Sequence, residues 1–182
     1  MLENVNILGV INNYKIGLKF NGTVRELNIN NIENALKMVG LEKSVLEKTL
    51  DELTISEKFK IDLVTKLNKD IIIVGNLSNC LIKKEMEYMK KLFLKLSNEY
   101  KKKIIVIDKD VETFFNLTNS IVVMKDKEII YKTEDFFDKE LYKHTSTPKI
   151  IDFIFYVNEK NIKLDKNVDI YELIKNIYRS VS

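Results

Sequence analysis

Along the chain, short apolar runs alternate with stretches in which apolar residues recur every three or four positions. The runs are Ile71-Ile72-Ile73-Val74, Ile104-Ile105-Val106-Ile107 and Ile121-Val122-Val123-Met124. They are β-branched and carry no polar alternation, which predicts strands buried on both faces. Between the first two, Met86, Met89, Phe93 and Leu96 form a helical stripe. Between the second and third, Val111, Phe114 and Phe115 mark a shorter helix. Strands alternating with helices predict a parallel sheet covered by helices. Lys125-Asp126-Lys127-Glu128 reads as a tight turn into Ile129-Ile130-Tyr131.

Upstream, Val5 to Ile11 reads as a first strand, and Tyr14 to Leu27, with Gly17 and Asn21-Gly22, as turns and extended pieces. Ile32, Ala35, Leu36 and Val39 fall on one helical face. Asn30 or Asn31 is placed to cap that helix and Gly40 to end it. Ser44 to Leu50 is a short helical candidate. Thr54 and Glu57 have capping-box spacing, so a helix opens there, with Phe59, Leu63, Val64 and Leu67 as its stripe. After Thr133 the pattern turns helical: Glu134 to Lys143, a helix after Pro148 with Ile151, Ile154 and Phe155, and a last one with Ile170, Leu173, Ile174 and Ile177. The expected division is a core over 1–133, with a helical subdomain about 30–68, and a helical extension over 134–182.

Composition narrows the class. The 182 residues are 45% hydrophobic and 31% charged, ordinary globular usage. Thirty basic side chains nearly cancel 27 acidic ones, leaving +3, which is no nucleic-acid footprint. The densest basic run, Lys101-Lys102-Lys103, reads as a solvated strand start. Cys80 is the single cysteine, so no disulfide can form within the chain. No apolar run approaches membrane-spanning length, and Met1-Leu2-Glu3-Asn4 is no signal peptide. A cytoplasmic protein without direct membrane insertion is expected.

Catalytic constellations are scarce. His144, the single histidine, sits beside Thr145-Ser146-Thr147 and reads as a surface residue; no Cys/His cluster exists for a metal. Cys80 reads as a packing residue. Gly17 and Gly22 have the glycine spacing of a phosphate-binding loop, but Thr23-Val24 stand where that motif needs Lys followed by Ser or Thr.

The order of elements over 53–131 resembles the back of an ATP-binding cassette (ABC) ATPase. Leu53-Thr54-Ile55-Ser56-Glu57 stands where that family has its helix-opening signature, usually Leu-Ser-Gly-Gly-Gln. Gly75-Asn76-Leu77-Ser78 stands for Asp-Glu-Pro-Thr, and Asp108-Lys109-Asp110 for Thr-His-Asp. Ile121 to Ile130 matches the closing hairpin, and Asn13 falls near the position of the family's loop glutamine. Ala35 to Leu41 resembles the helix before the signature. Glu134 to Phe137, Pro148, Ile150 to Tyr156 and Val168 to Leu173 resemble the C-terminal extension of energy-coupling factor ATPases, which drive vitamin and metal-ion uptake.

The resemblance implies an α/β fold: a partial P-loop NTPase-like (ABC-type) parallel sheet with flanking helices and a mostly helical C-terminal extension. It implies degenerate site positions at Asn13, Thr54, Ile55, Ser56, Glu57, Gly75, Asn76 and Lys109. Gly75 offers no metal ligand, Asn76 no base, and Lys109 replaces the histidine that contacts the γ-phosphate. Ile55 brings a side chain where a signature glycine lets the backbone approach phosphate. The expectation is a pseudo-ATPase with no catalytic residues, no metal and no cofactor, partnering an intact ABC ATPase subunit and a transmembrane coupling subunit, and so reaching the inner face of the cell membrane. A stand-alone interaction module, or a residual ATP binder without turnover, are the alternatives. The same residues also have plain structural readings: Thr54 and Glu57 as a helix cap, Gly75-Asn76 as a strand-to-loop turn. Finally, the family's phosphate-loop strand would lie between Ile104–Ile107 and Ile121–Met124. With no counterpart here, those two strands are expected to close up and pair directly; the alternative is a strand inserted from another chain.

Overall fold

The computed structural model of the protein describes residues 17–113, 115, 117, 118, 120–160, 164 and 170–181. The predicted first strand, Asn13 and Phe114 lie outside these.

After a 3-10 turn at Val24–Glu26, helix α1 spans Ile32–Met38. Asn31 precedes it with φ 54°, yet its side chain makes no capping bond. The end is sharper. Gly40, at φ +70°, donates to the Lys37 carbonyl at 3.1 Å, and the Leu41 N–H donates to the Leu36 carbonyl at 2.9 Å. This is the Schellman pattern, in which glycine accepts the left-handed conformation that stops the helix. Lys43–Glu47 forms a 3-10 turn.

Helix α2 (Ile55–Lys66) opens on the predicted capping box: the Glu57 N–H donates to the Thr54 hydroxyl (3.2 Å), and the Thr54 N–H to the Glu57 carboxylate (2.8 Å). Its buried surface is wider than a stripe, since all six residues from Phe59 to Val64 are buried, Lys60 and Asp62 included. Each large apolar side chain so buried contributes about 1.5–3 kcal/mol.

Strand β1 (Ile71–Gly75) leads through the short helix α3 (Leu77–Cys80) and helix α4 (Lys83–Asn98) to β2 (Lys103–Ile107). The two strands pair in parallel, Ile71 opposite Lys103 and Gly75 opposite Ile107. Met89, Leu92, Phe93 and Leu96 bury the inner face of α4. A hairpin follows, β3 (Ile121–Lys125) with β4 (Glu128–Thr133), turning on Asp126 and Lys127 at φ 51° and 70°. Two successive positive φ values suit the right-handed twist of a two-residue hairpin.

Three expectations need correction. β1 is not buried on both faces: Ile72 and Val74 point into the core, while Ile71 and Ile73 are 54% and 42% exposed. On that face Ile105 and Ile107 of β2 are half-buried, so the exposure is greatest along β1. Nor do Ile104–Ile107 and Ile121–Met124 pair. Each lies in its own two-stranded sheet, β1–β2 and β3–β4. A parallel crossover is usually made by an α-helix, and the described residues of this linker form a 3-10 turn at Val111–Thr113 instead. Lastly, Glu134 to Lys143 is not a helix but a run of turns ending in a 3-10 turn at Leu141–Lys143. The Asp135 and Asp138 side chains accept from the N–H groups of Phe137 (2.7 Å) and Glu140 (3.0 Å). Such local bonds give the backbone an alternative to the helix.

Helix α5 (Lys149–Glu159) starts after Pro148, and α6 (Ile170–Val181) closes the chain. Ile154, Leu164 and Leu173 form a small apolar cluster. The main core joins the buried residues of α1, α2, α4 and β1–β3. Lys66, at the end of α2, donates to the Ile73 carbonyl at 3.1 Å on the edge of β1 away from β2. No helix among the described residues is long and apolar enough to cross a membrane.

Candidate functional site at the carboxyl ends of the parallel strands

In open α/β sheets, ligands bind beyond the carboxyl ends of the strands. Here those ends bring Gly75, Asn76 and Ser78 beside Asp108 and Lys109. The Asn76 N–H donates to the Ile107 carbonyl at 2.8 Å, carrying the ladder one residue past β1. Asn76 then turns at φ 62° into α3, and its side-chain oxygen accepts from the Asn79 amide.

Asp108 is 2% exposed and is the pivot of this end. Its carboxylate accepts from the Ser78 N–H (2.8 Å), the Ser78 hydroxyl (2.5 Å), the Lys109 N–H (2.8 Å) and the Asp110 N–H (3.3 Å). Asp110 in turn accepts from the Glu112 N–H at 3.0 Å. A buried carboxylate with four donors is well compensated. It is a structural clamp between the two loops, with Oδ1 accepting three of the bonds and Oδ2 one. Sequence reading missed this role, although a short polar residue directly after a buried strand is a signal for it. Lys109 is exposed beside the clamp. Cys80 is buried, and burial first, then the nearby Asp108 charge, raises its thiol above the ordinary value, so it is no ready nucleophile. His144 is exposed, its ring 5.4 Å from that of Tyr131.

The signature segment sits at the start of α2. Ile55 is 62% exposed at the first helical position. Burial pushes the Glu57 carboxyl up, but Lys48 at 2.8 Å and the Thr54 donors outweigh it and hold the group below its ordinary value. Ser56 donates to Glu85 at 2.7 Å, and Lys60 donates to the same carboxylate oxygen at 2.6 Å. Glu85 also accepts from the Ile82 N–H at 3.2 Å, which anchors the start of α4. This link between α2 and α4 is a second feature that sequence reading missed.

Chemically, the assembled groups are occupied. Asp108 is engaged by four donors, Asn76 is no base at neutral pH, and Glu57 and Glu85 are held by lysines. Among the described residues no cluster of three or more His, Cys, Asp or Glu has metal-binding geometry. Gly75 and Asn76 themselves supply neither a carboxylate for magnesium nor a base.

No protein-family model matches the chain. Solved structures do match. A dimeric bacterial ABC transporter cassette, MJ0796, bound to ADP and phosphate, superposes with a TM-score of 0.57 at 20% identity, over 70% of this chain and 62% of that one. The cbiO1 protein of Clostridium perfringens, part of the ABC transporter complex cbiONQ, gives 0.54 at 18% identity, over 86% and 63%. The chain is an ABC ATPase-like domain. Its fold is the partial α/β cassette, and it is most like the energy-coupling factor type. An energy-coupling factor transporter ATP-binding protein of Spiroplasma kunkelii is 25% identical over 157 residues, 82% of this chain. This cassette-like domain spans about half the length of that curated relative, 51%.

Proposed function

We propose that this cassette-like domain is a non-catalytic subunit that partners an intact ABC-type ATPase of an energy-coupling factor transporter. One observation carries the reading. At the strand end where cassette chemistry would need a metal ligand and a base stand Gly75 and Asn76, and the nearby buried carboxylate, Asp108, is tied into four hydrogen bonds. Phosphoryl transfer rests on positioning and electrostatics, so a strand end without a metal ligand or base removes the main terms together. The similarity to proteins of ABC and energy-coupling factor transporters supports a transporter partner and, through it, a place at the inner face of the cell membrane.

Phosphate release by the purified chain with magnesium and ATP tests the first half. Background turnover is expected. Turnover that survives repurification and falls with Lys109→Ala or Asn76→Ala overturns the reading. Co-expression with an intact cassette ATPase and a transmembrane coupling subunit tests the second half. A complex that elutes together is expected, and independent elution counts against a transporter role.

A further inference from the structure

We propose that the cavity walled by α1 and by the last turns of α2 and α4 binds a small amphipathic monocarboxylate, with Lys102 as its ion-pair partner. The cavity has a volume of about 620 Å³. It lies at the amino ends of the parallel strands, where Asn68 precedes β1 and Lys102 precedes β2. That is the end of the sheet opposite Gly75, Asn76 and Asp108. Val64 and Leu96, each 2% exposed, form the floor, and the half-buried Met38 and Leu67 line it above them. A space of this size with apolar walls and a few polar groups has the usual form of a small-molecule site.

Charge defines the occupant. Lys102 is the one charged residue among those that line the cavity, and no Asp or Glu is among them. It is half-buried, and among the described residues it meets no carboxylate. Other lysines withdrawn from solvent are handled differently: Lys48, Lys60, Lys66 and Lys90 each meet a carboxylate within 3.1 Å. Lys58 is half-buried and unpaired as well, but of the two Lys102 lines this cavity. An ammonium taken partly out of water favours an anion beside it. A helix end can oppose an anion through its free carbonyls. Here the carbonyls of the two floor residues are taken, Leu96 by the Lys102 N–H at 3.1 Å and Val64 by the Leu67 N–H at 3.3 Å.

One cation matches one negative charge. A phosphate monoester carries about −1.5 to −2 at pH 7, more than a single lysine offsets, whereas a carboxylate carries one. Five asparagines, Asn34 and Asn68 among them, also line the cavity, and none makes a side-chain hydrogen bond among the described residues. Their NH₂ groups and the Tyr100 hydroxyl are uncharged donors for the carboxylate oxygen that Lys102 does not hold. The apolar floor takes the hydrocarbon body. The inference holds whether or not the chain turns over ATP.

The test uses the full chain, isotope-labelled, with binding read from the amide signals residue by residue. The probes are octanoate and its uncharged counterpart octanol, both below the concentration at which they self-associate. Octanoate should bind one to one, shift the signals of Asn34, Asn68 and Lys102, and bind about tenfold or more tighter than octanol, because a charged hydrogen bond is at stake. Lys102→Met keeps the apolar stem and should erase that preference, Lys102→Arg should retain it, and Lys58→Met should leave it unchanged. Three results overturn the proposal: octanol binding the natural chain as tightly as octanoate, octanoate failing to bind saturably or shifting residues elsewhere, or an undiminished preference in Lys102→Met. The first two need no variant, so they decide the matter even where a substitution disturbs folding.

Discussion

Ser78 gives Asp108 both its backbone N–H, at 2.8 Å, and its hydroxyl, at 2.5 Å. One residue follows β1 and the other follows β2, so this pair locks the carboxyl ends of the two parallel strands together.

Asp108→Ala should therefore destabilise the fold strongly. It strands buried donors that bond to a charged acceptor, each worth about 1.5–3 kcal/mol and not additive, so a loss of about 3–4 kcal/mol is expected. Ser78→Ala removes one hydroxyl donor and should cost about 1–2 kcal/mol. Urea denaturation midpoints measure both. Equal losses for the two variants would mean that the backbone donors contribute nothing.

Glu85 gives the fold an acid limit. Burial raises its carboxyl, but bonds from Lys60, Ser56 and the Ile82 N–H prevail and hold it below the ordinary value. A carboxyl depressed in the folded state contributes stability that is complete above its unfolded pKa, about 4.3, and is lost as pH falls through its folded one. Stability should be level near neutrality and fall below about pH 4.5. Glu85→Gln should flatten part of that fall and cost about 1–3 kcal/mol at pH 7, because Lys60 is left buried without its charge partner. Denaturation curves taken at several pH values check the sign; an unchanged acid limb in the variant would assign it to other groups.

The β3–β4 turn places Lys127 at φ 70°, a conformation that costs a residue with a side chain about 1–2 kcal/mol. Lys127→Gly should raise stability by about 1 kcal/mol, the gain being reduced by glycine's freedom in the unfolded chain. Thermal melting reads it, and a lower midpoint would show that the lysine side chain matters more than the backbone.

Ile55→Gly restores one glycine of the cassette signature but should create no nucleotide site. Ile55 is exposed at the first helical position, so the change should cost at most about 1 kcal/mol of helix propensity. Titration with a fluorescent ATP analogue should show no gain in binding. A clear gain would mean that the signature, not the strand end, is the dominant defect.

The local devices were legible in the sequence. Thr54 and Glu57 form their capping box, Gly40 stops α1, and the apolar runs become β1, β2 and β3. Each of these is decided within a few residues. The Ser78–Asp108 clamp was not legible, because it joins side chains 30 positions apart and depends on the strand register. Glu134 to Lys143 had helical composition, but two aspartates captured backbone N–H groups first. The exposure of Ile71 and Ile73 was hidden for another reason: an apolar run states that a strand wants cover, not that the described chain supplies it. The separation of β2 from β3 is of the same kind, since sheet neighbours follow from linker geometry rather than from strand composition.

Lys66, from the end of α2, holds the Ile73 carbonyl on the edge of β1 that faces away from β2. A lysine ammonium at a strand edge blocks the approach of a further backbone. The margin of the sheet beyond β1 is therefore guarded by charge: a second backbone arriving there meets an ammonium already bonded to the carbonyl it would need. Two such molecules would have to displace that lysine before they could lengthen the sheet past β1.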